Sequence, residues 1–181
     1  MTRQKSWTEK PNKFEHAGGN MMKNLNQLID EYTYQLQQGE IQTAYKGILD
    51  FIGKLRADFI KKHPLYDTGG IYQGYMDMTY FSLSTEQLKD KGLKFALVYL
   101  HEKGAFEVWL SARNRDIAKR YESVFSSISS DISAVFHDCS NTDAIIECTL
   151  ASKPDFENQD SLTDIIEHGI EKFVAAITGV L

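Results

Sequence analysis

Two stretches near the start of the chain place apolar residues at helical spacing. The first begins after Asn24, a typical N-cap residue, and ends at Gly39. The second begins directly afterwards, and Pro64 stops it. Because only Gln38-Gly39 separates the two stretches, the pattern predicts two helices joined as an antiparallel hairpin.

Residues 71–83 change to the aromatic, methionine and β-branched composition of a strand. In an extended strand the side chains alternate between two faces. The even-numbered positions are predicted to lie in the core; they are Tyr72, Met76, Met78 and Tyr80. The odd-numbered positions are predicted to lie on the other face; they are Gln73, Tyr75, Asp77 and Thr79.

The remaining elements follow from local signals. Residues 93–102 and 105–113 predict a β-hairpin that turns at Lys103-Gly104. A short helical turn capped by Ser84 precedes it, and Asn114 is the expected N-cap of a third helix. The serine-rich residues 126–133 predict a loop or a weak helix, residues 144–151 a fourth strand, and Ser161 the cap of a last helix.

Together these elements predict an α+β fold with the order ααβββαβα. A helical hairpin is followed by a mostly antiparallel four-stranded sheet, with two further helices packed on that sheet. Residues 1–20 show no periodic pattern and are predicted to form a disordered arm. Residues 21–181 are predicted to form a single domain, a normal size for one hydrophobic core.

The composition limits the cellular compartment in which the protein is expected. The longest apolar run has about six residues, far short of the ~20 that cross a bilayer. The first twenty residues lack the apolar segment of a secretory signal. The two cysteines, Cys139 and Cys148, form no paired motif and are expected to be free thiols. A cytoplasmic protein without a membrane segment is therefore expected.

The net charge of −5 argues against nucleic acid as the main partner. Four basic and two acidic residues lie in the first twenty, so the rest of the chain is the acidic part. Nucleic-acid binding through a local basic patch remains an alternative. The candidate residues of this patch are Lys61, Lys62, Arg113, Arg115, Lys119 and Arg120.

Four polar residues on the predicted strands are candidates for acid–base chemistry. Asp77 and Glu107 would form a carboxylate pair if they shared one face of the sheet, with His101 or Arg113 assisting. The alternative is that Asp77 and Glu107, together with Trp109, line a solvated face, since antiparallel sheets often leave one face wet.

The region around the tyrosine-rich strand suits a ligand or partner surface. Tyrosine combines an apolar ring with a polar tip, and nearby glycines allow close approach. The candidate surface residues are Tyr66, Asp67, Gln73, Tyr75, Asp77 and Trp109. Either a small molecule or a protein would fit this description, and the sequence leaves the oligomeric state open, a homodimer included. No cofactor is predicted, because the chain has no Gly-rich phosphate loop of the Walker or Rossmann type.

A metal site is not predicted either. His137-Asp138-Cys139 offers three adjacent ligands but no second cluster at a suitable spacing. The order αβββαβ matches the core of restriction-endonuclease-like nucleases, which bind divalent metal through an Asp and a Glu-x-Lys motif. Here the corresponding strand reads Glu107-Val108-Trp109 and lacks the lysine.

The segment from Ile71 to Phe81, IYQGYMDMTYF, and the segment from Phe106 to Ser111, FEVWLS, resemble a family of uncharacterised bacterial proteins. The resemblance extends from Lys23 to the C-terminal helix and leaves out the arm. It implies a bacterial, cytoplasmic, stand-alone domain and transfers no activity. Residues 93–125 also resemble, faintly, the strand-hairpin-helix of some nuclease-fold proteins.

Three functional hypotheses remain at this point. The first is a binding or interaction domain that uses the tyrosine-rich strand and its glycine loop. The second is a small-molecule enzyme with Asp77 and Glu107 as acid and base. The third is a catalytically degenerate nuclease-fold protein that binds nucleic acid through the basic patch.

Overall fold

The computed structural model describes residues 23–126, 141–179 and 181. The chain separates into two compact units, residues 1–41 and residues 42–181. The predicted arm, residues 1–20, lies outside the described residues, and the prediction of a single domain from residue 21 onward stays a prediction.

The first helix, α1, spans Leu25–Gln38 and has both predicted caps. The side chain of Asn24 accepts a hydrogen bond from the backbone of Gln27, and Gln27 reaches back to the backbone of Asn24. Gly39 ends the helix with a φ of 79°, the left-handed conformation that glycine adopts without strain. The predicted packing of α1 in a helical hairpin stays a prediction.

The second helix, α2, spans Glu40–Lys62 and stops just before Pro64, as predicted. Its buried residues are spaced so that they lie on one side of the helix; they are Phe51, Ile52, Leu55 and Phe59. Gly47 lies inside this helix with no atom close to the position of a β-carbon. Close packing therefore does not explain this glycine.

Among the described residues, five antiparallel strands form one sheet in the order of the chain. They are β1 (Asp67–Thr68), β2 (Met78–Ser84), β3 (Leu93–Leu100), β4 (Ala105–Ala112) and β5 (Ile146–Ala151). The prediction of four strands missed β1, because two residues are too few to show an alternating pattern. The predicted hairpin is confirmed as β3 and β4, with a left-handed Gly104 in the turn.

The part of the chain that the structure describes contains three more helices: α3 (Glu86–Asp90), α4 (Arg115–Ser126) and α5 (Gln159–Thr178). Asn114 caps α4 as predicted, since its side chain accepts a hydrogen bond from the backbone of Ile117 at 3.0 Å. The predicted cap Ser84 lies one residue too early, because Thr85 caps α3. The predicted cap Ser161 lies three residues too late and is inside α5. The predicted serine-rich loop lies, after Ser126, outside the described residues.

The main hydrophobic core lies on one face of the sheet. Buried side chains of α2 and α5 pack there against Phe81, Phe95 and Leu97 of the strands. A smaller buried cluster on the opposite face contains Ala96, Val98 and Trp109. We call this opposite face the groove face.

The predicted faces of the tyrosine-rich strand are wrong. The strand begins only at Met78, and Thr79 lies in the helix-covered core, 1% exposed, although it was predicted to face away. Met78 and Tyr80 point instead to the groove face. Met76, predicted in the core, is 51% exposed.

The error has a local cause. Residues 72–80 form a closed loop in which Tyr72 and Tyr80 exchange two backbone hydrogen bonds, at 2.8 and 2.9 Å. Gly74 and Met76 inside this loop have positive φ angles of 61° and 65°. Because Gly74 and Met76 are not in an extended conformation, the side chains within this loop do not alternate between the two faces of the sheet.

Within the described residues, no helix is both long and apolar enough to cross a membrane.

Candidate functional site

A groove of about 340 Å³ lies on the groove face of the sheet. Its floor is made by the small side chains of Ala96 and Val98. Aromatic rings of Tyr72, Tyr80 and Trp109 line its sides. We call this cavity the strand-face groove.

The strand register explains why the groove exists. Ala96 in the central strand β3 pairs with Trp109 of β4, and Val98 pairs with Tyr80 of β2. In the same register Ala96 lies next to Ser82 of β2, and Val98 lies next to Glu107 of β4. Side chains on one face of neighbouring strands lie side by side, so the groove lies where the small side chains of β3 border the larger Tyr80 and Trp109.

Trp109 is held in place by a buried carboxylate. Its indole Nε1–H donates a hydrogen bond to Oε2 of Glu107 at 2.8 Å. The other oxygen of Glu107 lies 3.2 Å from Nζ of Lys103, and Glu107 is only 2% exposed. Because its indole N–H is already bonded and the residue is only 5% exposed, Trp109 contributes a small apolar part of its ring to the groove lining.

Lys94 supplies the positive charge in the groove lining. Its Nζ lies 6.0 Å from the centre of the Tyr80 ring, within the range of a cation–π interaction. Lys94 pairs with Ser111 across the β3–β4 ladder. The hydroxyl of Ser111 donates to the backbone carbonyl of Asp143 at 2.7 Å, which fixes Asp143 beside this end of the groove.

The loop of residues 72–80 brings Asp77 to the other end of the groove. The backbone N–H of Tyr75 donates to Oδ1 of Asp77 at 2.9 Å. Backbone N–H groups, first that of Met78 and then that of Tyr75, hold the pKa of Asp77 below its ordinary value. Asp77 thus carries a stable negative charge and also organises its own loop.

His101 fastens this loop to the end of β3. Its backbone N–H donates to the carbonyl of Asp77 at 3.0 Å, and its Nε2 lies 2.9 Å from the hydroxyl of Thr79. The Thr79 hydroxyl also lies 3.3 Å from the carbonyl of Gln73, to which it can donate. Burial lowers the pKa of His101, and the nearby charge of Asp77 opposes that shift.

Of the four predicted catalytic candidates, the structure brings two into contact, while the side chain of a third bonds to other residues. Asp77 and His101 are in contact through the backbone, while the carboxylate of Glu107 is engaged by Lys103 and Trp109. Glu107 is a positioning residue for Trp109 in this arrangement. The fourth candidate, Arg113, has an exposed side chain, and its backbone N–H donates to Gly92.

The predicted surface residues fall into three places. Asp77 and Trp109 line the groove. Gln73 and Tyr75 lie in the adjoining loop, where the carbonyl of Gln73 faces the hydroxyl of Tyr45 at 3.4 Å and Tyr75 is 93% exposed.

Tyr66 and Asp67 lie elsewhere, at the end of α2 and in β1. The ring of Tyr66 packs edge-on against Phe59, and burial raises its pKa. Asp67 pairs with Lys89 at 3.2 Å. Neither residue lines the groove.

Several groove residues were missed in the sequence. Lys94, Ser111 and Asp143 were not singled out, and Tyr72 and Tyr80 were assigned to the core. A signal for Lys94 was present: in the strand 93–100 it alternates with Phe95 and shares a face with Ala96 and Val98. Lysine side chains are mostly solvated, so this alternation alone does not indicate a site.

The described residues contain no group of three His, Cys, Asp or Glu side chains placed to hold a metal ion. The candidate His137-Asp138-Cys139 lies outside the described residues. Of the basic-patch candidates, Lys61 pairs with Asp58 and Lys62 with Glu167, so acidic neighbours offset both charges.

A family model described as "Domain of unknown function (DUF7000)" matches residues 25–181. The matched range agrees with the resemblance found in the sequence, which excluded the arm. No curated protein and no solved structure matches the chain.

Proposed function

We propose a function for this chain, which belongs to the family described as "Domain of unknown function (DUF7000)". It is a small-molecule-binding domain, and its binding site is the strand-face groove. The observation that carries the proposal is the groove itself, a cavity of about 340 Å³ with aromatic side chains in its lining. Binding sites for small molecules usually have volumes of about 300 to 1,000 Å³, so the groove suits a compact ligand.

The composition of the lining supports this proposal. Small-molecule sites combine apolar and aromatic walls with a few polar groups that fix the orientation of the ligand. Here Tyr72, Tyr80 and Trp109 supply the rings, and Lys94 and Asp77 supply charges of opposite sign. Such a lining can both cover a flat organic molecule and orient it.

The walls are also held in place before any ligand binds. Trp109 is fixed by its hydrogen bond to Glu107. Tyr72 is fixed by its two backbone hydrogen bonds to Tyr80, and the two rings lie 5.1 Å apart. A pre-formed site loses less conformational entropy on binding, which favours affinity from a small contact area.

The test uses Trp109 as its own reporter. The sequence contains two tryptophans, Trp7 and Trp109, so the Trp7→Phe variant leaves one indole N–H signal in a proton–nitrogen NMR spectrum. A library of anionic, neutral and cationic aromatic fragments is added to this variant. We expect a subset of fragments to shift the Trp109 signal with saturation.

Matched variants show whether the shift comes from the groove. Ala96→Met fills the groove floor and should abolish the shift, while Ala57→Met on the exposed side of α2 should leave it unchanged. Circular dichroism confirms that both variants are folded. The proposal is overturned if no fragment shifts Trp109, or if folded Ala96→Met responds like the parent protein.

A further inference from the structure

We infer that α1 is a self-association surface, and that its exposed apolar side pairs with α1 of a second copy of this chain. Leu25, Leu28, Ile29 and Tyr32 form this side, and we call them the α1 stripe. The inference goes beyond the proposed binding function and does not depend on the strand-face groove.

The α1 stripe is an apolar surface in contact with solvent. Leu25 is 70% exposed, Tyr32 59%, Leu28 51% and Ile29 49%. Because an α-helix turns by about 100° per residue, these four side chains lie within an arc of about 100° around the helix. An apolar arc of this width is the side that a helix in a folded protein normally buries.

Packing of this side is what α1 needs in order to be stable. None of its 14 residues is buried. Isolated helices shorter than about 12 to 15 residues are marginal in water, and most helical stability in proteins comes from packing of the apolar side. Tyr32, Thr33 and Tyr34 in the middle of α1 have weak helix propensity. The caps at Asn24 and Gly39 set the ends of the helix, and a partner that covers the stripe supplies the packing.

The charges around the α1 stripe fit a second copy. The residues that border the stripe, Asn26, Thr33 and Gln35, are all neutral. Glu31 forms an ion pair with Lys23, and its charge is offset. Two identical helices bring identical side chains together, so charged residues beside the stripe would repel each other. A seam between two different chains is instead selected by complementary charges beside the apolar residues, and α1 does not offer them.

Residues 1–22 are the other part of this chain that lies next to α1. The family model matches residues 25–181, which include all of α1 and leave this segment out. A segment that covers a helical stripe needs apolar side chains at a matching spacing, and residues 1–20 show no such period. A second copy of α1 has the matching spacing by identity, and a two-fold pair of such helices is closed.

The size of the surface sets the strength of the pair. Stable protein–protein interfaces bury about 800 Å² on each partner, which is more than one side of a short helix provides. We therefore expect a weak dimer with a Kd on the order of 10 to 100 µM.

Sedimentation equilibrium of the full chain tests this inference. Protein concentrations from about 1 to 500 µM bracket the expected Kd. We expect the weight-average mass to rise from that of the monomer towards that of the dimer over this range.

Two lysine substitutions on α1 show which side of the helix pairs. Ile29→Lys places a charge in the centre of the α1 stripe and should weaken the dimer at least about tenfold. Tyr34→Lys adds the same charge on the opposite side of α1, where Tyr34 is 59% exposed, and should leave the Kd unchanged. Circular dichroism confirms that both variants are folded; neither residue is buried.

Three results would overturn the inference. The first is a parent protein that stays monomeric at every concentration, in which case residues 1–22 or a different protein cover the stripe. The second is a folded Ile29→Lys variant that dimerises as tightly as the parent. The third is an equal loss of dimer in Ile29→Lys and Tyr34→Lys, which would assign the pairing to net charge rather than to the stripe.

Discussion

At the scale of single residues, Glu107 shows how a candidate changes role once its neighbours are known. A buried carboxylate on a central strand was a natural candidate for acid–base chemistry. Its two oxygens face the Lys103 ammonium and the Trp109 indole N–H, so it orders a wall of the groove. The pair Glu107 and Trp109, two residues apart on one strand face, could have been recognised from strand alternation alone.

Substitutions at Glu107 should separate its hydrogen bond from its charge. Glu107→Gln keeps an oxygen for the Trp109 N–H, and we expect it to lower the free energy of unfolding by about 1 kcal/mol. Glu107→Leu leaves that buried N–H without an acceptor, and we expect a loss of about 2 to 3 kcal/mol. Urea denaturation measures both; equal losses would contradict the positioning role.

His101 should make the stability of the fold depend on pH. Burial lowers its pKa in the folded protein below the ordinary value of 6.5. The unfolded chain therefore binds the proton more readily, and the contribution of His101 to stability is present above about pH 6.5. That contribution is lost as the pH falls through the lower folded pKa.

The measurement is urea denaturation between pH 7.5 and 5, with His101→Gln as the comparison. The parent protein should lose stability over this range more steeply than the variant, because the variant lacks the titrating ring. His168→Gln, on α5, is a control that should keep the slope of the parent. Identical slopes for the parent and His101→Gln would contradict the lowered pKa.

At the scale of elements, the loop of residues 72–80 decides where the site lies. It turns through positive φ angles at Gly74 and Met76 and closes on the Tyr72–Tyr80 bridge. A β-carbon on Gly74 would clash with Oδ1 of Asp77 and with the carbonyl oxygen of Met78. This conformation of the loop therefore strongly favours glycine at this position.

Two glycine substitutions should have opposite effects. Gly74→Ala introduces both a clash and a strained φ, and we expect it to destabilise the protein by about 1 to 3 kcal/mol. Gly47→Ala lies inside α2 with open space around the new methyl group, and should stabilise by up to about 1 kcal/mol. Thermal melts compare the two; a neutral Gly74→Ala would show that the loop is not held in this conformation.

At the scale of the whole molecule, the sequence predicted the fold better than the site. The second helix α2, the β3–β4 hairpin and the Asn114 cap follow from spacing and local chemistry that depend on a few residues. The exchange of faces at Thr79 and Tyr80 could not be predicted in this way. It depends on the positive φ of Met76, a residue that seldom adopts this conformation.

The candidate site depends on the same feature. Asp77 and Trp109 were found because carboxylates and tryptophan stand out by residue type. Tyr72 and Tyr80 were assigned to the core because the strand was extended through the loop, and Lys94 was missed because its neighbours across the sheet were unknown. The groove depends on which residues of β2 and β3 pair with each other. This register is evident only from the folded structure.

The most direct test of the account is an NMR measurement of magnetisation transfer between the bound probe and the groove. With a fragment that shifts the Trp109 signal added to saturation, the ring protons of that fragment should show cross-relaxation to the indole protons of Trp109 and to the methyl protons of Ala96. Such contacts would place the ligand between the groove wall and its floor. Contacts only with protons elsewhere, or none at saturation, would contradict the claim that the strand-face groove is the binding site.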